Sequence, residues 1–139
     1  MDVRVQVFPS TRDAAADASA FVMSTAEQFG LSDSIREALL LVVGEAVANA
    51  AGHGNRLDPK KQVVVECAKG DGEVRLCVED EGPGVPVERL EHAQLPNDPF
   101  DTSGRGLFIM KSLADRVWLE SSGRRLCMMW REVDDAPSS

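Results

Sequence analysis

Between Ala38 and Ala51 the chain reads ALLLVVGEAVANAA, a run that is apolar nearly all the way round a 3.6-residue period and is interrupted only by Glu45 and Asn49. Such a pattern predicts a buried helix rather than a surface one. The two polar residues are four apart, so their side chains leave one stripe of the helix and can reach a common point. A buried carboxylate or amide is costly without partners. A metal ion or a bound phosphate supplies them, and so, in the plainer structural reading, do the ends of neighbouring elements.

The rest of the chain supplies strands and helices in an α+β order. Residues 2–8 (DVRVQVF) alternate as a strand that Pro9 stops, and Ser10 or Thr11 suits the cap of an alanine-rich helix over 12–29 that Gly30 ends. Ser32 or Asp33 caps the helix described above. Two strands, 62–68 and 73–79, are joined by the hairpin link KGDG. The stretch from Glu81 to Thr102 holds four prolines and little periodic pattern, as a functional lid does. A helix from Arg105 to about Asp115 precedes two last strands, 117–121 and 125–131, which close around Ser122 and Gly123. The expected organisation is a single domain over 1–133 and a flexible tail over 134–139.

Composition narrows the class. A net charge of −8 opposes direct binding to nucleic acid or to an anionic membrane, and the chain lacks a run of apolar residues long enough to span one, so a cytoplasmic protein with protein partners is expected. Cys67, Cys77 and Cys127 are odd in number, lack CxxC spacing and lie in strand-like runs, which reads as reduced core cysteines. An apolar face over residues 14–29 suits either a homodimer contact or the core, the core being the simpler reading.

Two further clusters follow the helix. GEAVANAAGHGN occupies 44–55, DEGPGV 80–85 and TSGRGL 102–107. Asp80 ends a strand, where a carboxylate can accept a hydrogen bond from the exocyclic amine of adenine; guanine presents a carbonyl there. Gly82 and Gly84 allow close approach of backbone to a purine. Taken alone, this segment is an ordinary turn. Ser103, Gly104, Arg105 and Gly106 open a helix, whose unpaired amides favour phosphate, with Arg105 as a charged fork toward the terminal phosphate; taken alone, they are a loop before a capped helix. The three clusters together point to a nucleotide site. GxxxxGK[ST] and an early GxGxxG are absent, which excludes P-loop and Rossmann sites.

The E-x-x-x-N helix, the D-x-G-x-G turn and the S-G-R-G-L helix start resemble the boxes of the ATPase superfamily shared by DNA gyrase and histidine kinases. Within it, the small size, the HGN after the helix and the run SGRGLFIMKSLADRV are most similar to anti-sigma factor serine/threonine kinases. The resemblance implies a two-layer α/β sandwich with a mixed, mostly antiparallel sheet and helices on one face. It implies ATP, ADP and Mg²⁺ as ligands. It also implies a partner switch, in which the protein holds a sigma factor inactive and phosphorylates a serine or threonine of a STAS-type anti-sigma factor antagonist. By resemblance Glu45 is the general base and Asn49 the Mg²⁺ ligand, while Asp80, with Gly82, Gly84 and Val85, reads the adenine. Ser103, Gly104, Gly106 and Leu107 cradle phosphates, and Arg105 neutralises the transferred group. His53 and Asn55 are expected to stabilise the helix end rather than to do chemistry. Family members often carry a threonine on the last strand beside the adenine; here GRRLCMMW offers Cys127.

Two other classes compete. An ATP- or ADP-gated binding regulator needs Asn49 and Asp80 but no base, so Glu45 favours the kinase. The catalytic piece of a two-component histidine kinase is disfavoured, since residues 1–30 read as one strand and one helix rather than a histidine-bearing hairpin, and His53 and His92 fall in or beside the expected site.

Overall fold

Val3, Val5 and Val7 alternate with Arg4 and Gln6, and this two-residue period produces strand β1 (Asp2–Pro9). The structure, a computed structural model, describes residues 1–93 and 105–132. After β1 come α1 (Ala14–Gln28), α2 (Asp33–Ala48), a π-helical turn over Asn49–Gly54, β2 (Gln62–Gly70) and β3 (Glu73–Glu79). The short helix α3 (Val87–Glu91), α4 (Arg105–Leu113), β4 (Arg116–Glu120), a 3₁₀ turn (Ser121–Gly123) and β5 (Arg125–Arg131) complete it. The expected tail over 134–139 lies outside the described residues.

The strands form one sheet in the order β1-β2-β3-β5-β4. All four pairings are antiparallel, so the sheet is not mixed. Asp71 and Gly72 turn the β2–β3 hairpin with φ of 48° and 75°, the conformation a two-residue Asp-Gly loop adopts because its twist matches the strands. One face of the sheet carries Phe8, Val63, Val65, Leu76 and Met128 into a core shared with Ala18 and Val22 of α1 and Leu39, Val42, Val43 and Val47 of α2. Each such valine or leucine, fully buried, contributes roughly 1.5–3 kcal/mol. The alanine-rich face of α1, with Ala14, Ala18 and Ala26 buried, belongs to this core.

Three local expectations are corrected. Ser32 caps α2, accepting from the Ile35 amide at 3.4 Å, but neither Ser10 nor Thr11 caps α1, which starts after Asp13 without a side-chain cap; Ser10 is fully buried and donates to the Lys61 carbonyl. The helix α2 is not buried all round: Leu40 and Leu41 are 52% and 59% exposed, because the helix lies on the sheet with one side only. Cys67 points to the helices as a free thiol, whereas Cys77 and Cys127 sit on the opposite sheet face, directly paired across β3 and β5 and joined as a disulfide. Strand register between residues 50 apart is not written in local periodicity, so the pair was not legible.

Candidate functional site

The C-terminal ends of α2 and β3 and the N-terminal ends of α4 and β5 converge on a cavity of about 220 Å³. Asn49, Asp80, Gly84, Val85, Gly106 and Leu107 line it, so all three sequence clusters meet in one place. The helix end is what brings Asn49 there. At Asn49 the α-helix passes into the wider π-helical turn, which carries Asn49, Ala50, His53 and Gly54 along one wall. Turns of this kind are frequent at functional sites.

Glu45 stands beside the cavity rather than on its wall, half-buried like Asn49. Its proximity shows at Gly106. A Cβ placed on that residue would lie 3.1 Å from Asn49 Nδ2 and 3.2 Å from Glu45 Oε2. The acid, the amide and the first turn of α4 therefore share one small space, kept open by the missing side chain. The side-chain amide of Asn49 can present either its nitrogen or its oxygen there by rotation.

Asp80 closes the other end. Burial pushes its carboxyl above the ordinary aspartate value; the Gly82 amide, donating to Oδ1 at 2.8 Å, and the Arg124 guanidinium pull it back, and Glu79 pushes it up again. The segment after Asp80 is tied to β5: the Val85 amide donates to the Gly123 carbonyl at 2.9 Å, and Arg124 Nε to the Gly82 carbonyl at 2.9 Å. Gly84, at φ 91°, packs against the backbone of Ser122, so a side chain there meets both strain and a clash. Lys111 of α4 donates to the Leu90 and Glu91 carbonyls at 2.9 and 3.3 Å, fixing the end of α3 to α4.

Some predicted residues stand elsewhere. Gly82 does not line the cavity; it is buried against the backbone of Gly54 behind it. Cys127 faces the far side of the sheet, and Leu126 is the β5 residue on the cavity wall, which corrects the placement of Cys127 beside the base. Arg105 opens α4, while Ser103 and Gly104 lie outside the described residues. Sequence reasoning missed Arg89, Gly123 and Arg124 as cavity residues. The Ser-Gly turn before β5 was visible, but only the β3–β5 pairing carries it to Asp80. Among the described residues no group of three or more His, Cys, Asp or Glu is placed to hold a metal ion.

The model of the histidine kinase-like ATPase domain matches residues 8–130. The chain belongs to that family. Among its curated relatives are the anti-sigma F factor of Geobacillus stearothermophilus, 40% identical over 82 residues that cover 58% of this chain and 56% of that protein, and the anti-sigma F factor of Clostridium perfringens, 36% identical over 79 residues, 54% and 55% of the two chains. The chain thus spans little more than half the length of the curated relatives it matches. The crystal structure of the RsbU and RsbW domains of Rv1364c from Mycobacterium tuberculosis superposes with a TM-score of 0.66 at 23% identity, covering 94% of this chain and 32% of that one, which shows the shared fold. The family is an ATPase-type one, and nucleotide binding goes with it. Among the described residues, no helix is long and apolar enough to cross a membrane.

Proposed function

We propose that the protein is an ATP-dependent serine/threonine kinase that acts as an anti-sigma factor in a partner switch, binding a sigma factor and phosphorylating a STAS-type antagonist. The meeting of Glu45, Asn49 and Gly106 within one side chain's reach, beside the cavity that Asn49, Gly106 and Asp80 line, carries this reading. Asp80 accepts from the adenine amine and the triphosphate runs toward the first turn of α4, where the partial positive charge of a helix start and Arg105 would offset its charge. Asn49 would hold Mg²⁺ through its amide oxygen, and the ion, when bound, offsets the charge of the phosphate oxygens. Glu45 takes the proton from the partner's hydroxyl as that oxygen attacks the γ-phosphorus, the bond from that phosphorus to the β–γ bridging oxygen breaks and ADP leaves. The names of the curated relatives support the anti-sigma role. The acidic chain suits protein partners in the cytoplasm, not nucleic acid or membrane; the exposed Val3, Val5 and Val7 of edge strand β1 suit a homodimer.

The placement of Glu45 beside the wall rather than on it favours one other reading: a regulator gated by ATP and ADP without phosphotransfer. Incubation of the protein with Mg-ATP and purified STAS-type antagonists, followed by mass spectrometry, separates the two. Phosphoserine or phosphothreonine on an antagonist is expected; nucleotide-dependent binding without it leaves the gated regulator.

A further inference from the structure

We propose that Asn55 is a positioning residue that sets Asp80 against the base and so determines selectivity for adenine over guanine, an assignment that rests on the nucleotide reading above. Ser10, Thr25 and Asn55 are the buried polar residues among those described. Thr25 bonds its own helix, donating to the Phe21 carbonyl at 2.9 Å. Asn55 instead joins three distant segments. Its Nδ2 donates to Ser10 Oγ at 2.8 Å, at the end of β1, and to the Gln62 carbonyl at 2.9 Å, at the start of β2. Its Oδ1 accepts from the Glu81 amide at 2.8 Å, one residue beyond Asp80. Ser10 passes the connection on to the Lys61 carbonyl at 2.7 Å.

Both amide hydrogens and the amide oxygen of Asn55 are thereby used, and no other small side chain offers two donors and an acceptor in that arrangement. Aspartate lacks the donors and leucine has neither. The segment around Asn55 also presses on the site. Gly54 packs directly on the Asp80 carboxylate and on Gly82, and the Gly82 amide holds Asp80 Oδ1. Arg56 and Leu57 follow in the left-handed region at φ 53° and 55°, held by the Asn55 amide on Ala50 and the Leu57 amide on Ala51, at 2.8 and 2.7 Å. Strained backbone of this kind persists where the surroundings over-determine it. One face of Asp80 is thus fixed by Gly54 and the Glu81–Gly82 turn, and Asn55 anchors both to the end of the sheet. A carboxylate free to swing would accommodate a guanine carbonyl by turning away; one held in place cannot.

Titration of the wild type, Asn55→Ala and Ser10→Ala with Mg-ATP and Mg-GTP tests this, with melting temperature measured alongside. Ser10→Ala also breaks the buried network but leaves the Glu81 bond intact. The ATP-to-GTP preference should fall about tenfold in Asn55→Ala, the worth of one to two hydrogen bonds, and stay at the wild-type value in Ser10→Ala even where both melt lower. A wild-type preference in Asn55→Ala, or an equal loss in Ser10→Ala, overturns the assignment alone. A wild-type protein that binds neither nucleotide overturns the nucleotide reading and the assignment with it. Should Asn55→Ala not fold, amide hydrogen exchange on the wild type decides: ATP but not GTP should slow the Glu81 and Gly82 amides, and equal slowing by both contradicts the proposal.

Discussion

The Asp80 amide donates to the Arg124 carbonyl at 3.0 Å, extending the β3–β5 pairing by one bond beyond the last strand residues and bringing the Arg124 guanidinium within electrostatic reach of the Asp80 carboxylate. That guanidinium only partly offsets the cost of burial, so the folded state holds the Asp80 proton more tightly than the unfolded chain does. Stability carried by this group therefore falls as pH rises through its folded value and is recovered as pH drops toward the ordinary carboxylate value of about 4. Asp80→Asn keeps an acceptor for the Gly82 amide and removes the charge. Urea denaturation should find the variant at least as stable as the wild type at neutral pH, with its advantage shrinking toward pH 5. A variant that loses ground as pH rises contradicts the direction. Its nucleotide selectivity should also relax, because an amide can turn a donor toward the guanine carbonyl.

Gly106→Ala places a methyl group in the space shared by Glu45 and Asn49. Both neighbours are side-chain ends at just over 3 Å, able to give by a few tenths of an ångström. Alanine gains up to about 1 kcal/mol over glycine in a helix, so the melting temperature should hold or rise. Mg-ATP affinity should nevertheless fall about tenfold by calorimetry. An unchanged affinity would mean that phosphates do not approach this turn of α4.

Much of this arrangement was readable in the residues. Alternation placed β1 and apolar runs the other four strands, KGDG announced the hairpin, and Ser32 or Asp33 marked the start of α2. The order of the three clusters was enough to foresee that Asn49, Asp80 and Gly106 would meet. What escaped depended on contacts between distant segments. The exposure of Leu40 and Leu41 reflects which side of α2 the sheet covers, and apolar residues all round a helix cannot say that. Asn55 looked like a helix-end residue because its partners, Ser10, Gln62 and Glu81, are scattered along the chain. Gly82 was expected against the base, yet its contact is Gly54, brought there by the π-helical turn. α3 is too short and too polar for a periodic signal.

Glu45→Gln is nearly isosteric and cannot accept a proton. Transfer to an antagonist should drop by about 10²- to 10⁴-fold, the usual contribution of a general base, with ATP affinity kept within about threefold. Asn49→Ala should show the converse pattern, losing Mg²⁺-dependent nucleotide binding while any metal-independent binding persists. Single-turnover transfer with labelled ATP reads the first and calorimetry with and without Mg²⁺ the second. Wild-type transfer by Glu45→Gln would remove the base assignment and leave the nucleotide-gated regulator.

The Cys77–Cys127 bridge ties together the two strands whose ends carry Asp80 and Arg124, and its cysteines are 50 positions apart in the chain. In the chain-entropy account, closing a loop of that length restricts the unfolded state by about 4 kcal/mol, so a dithiol should lower the unfolding free energy by up to that amount. Cys67 behaves differently. Burial, with a smaller push from Glu66, raises its thiol to about 12, so it stays protonated and unreactive in the folded protein. Alkylation with iodoacetamide and intact-mass measurement should therefore count no modified thiol in the native oxidised protein, one in denaturant, and three in denaturant after reduction. Three labels in denaturant without reductant would show that the two strands carry free thiols, and the predicted loss of stability on adding dithiol would then be absent.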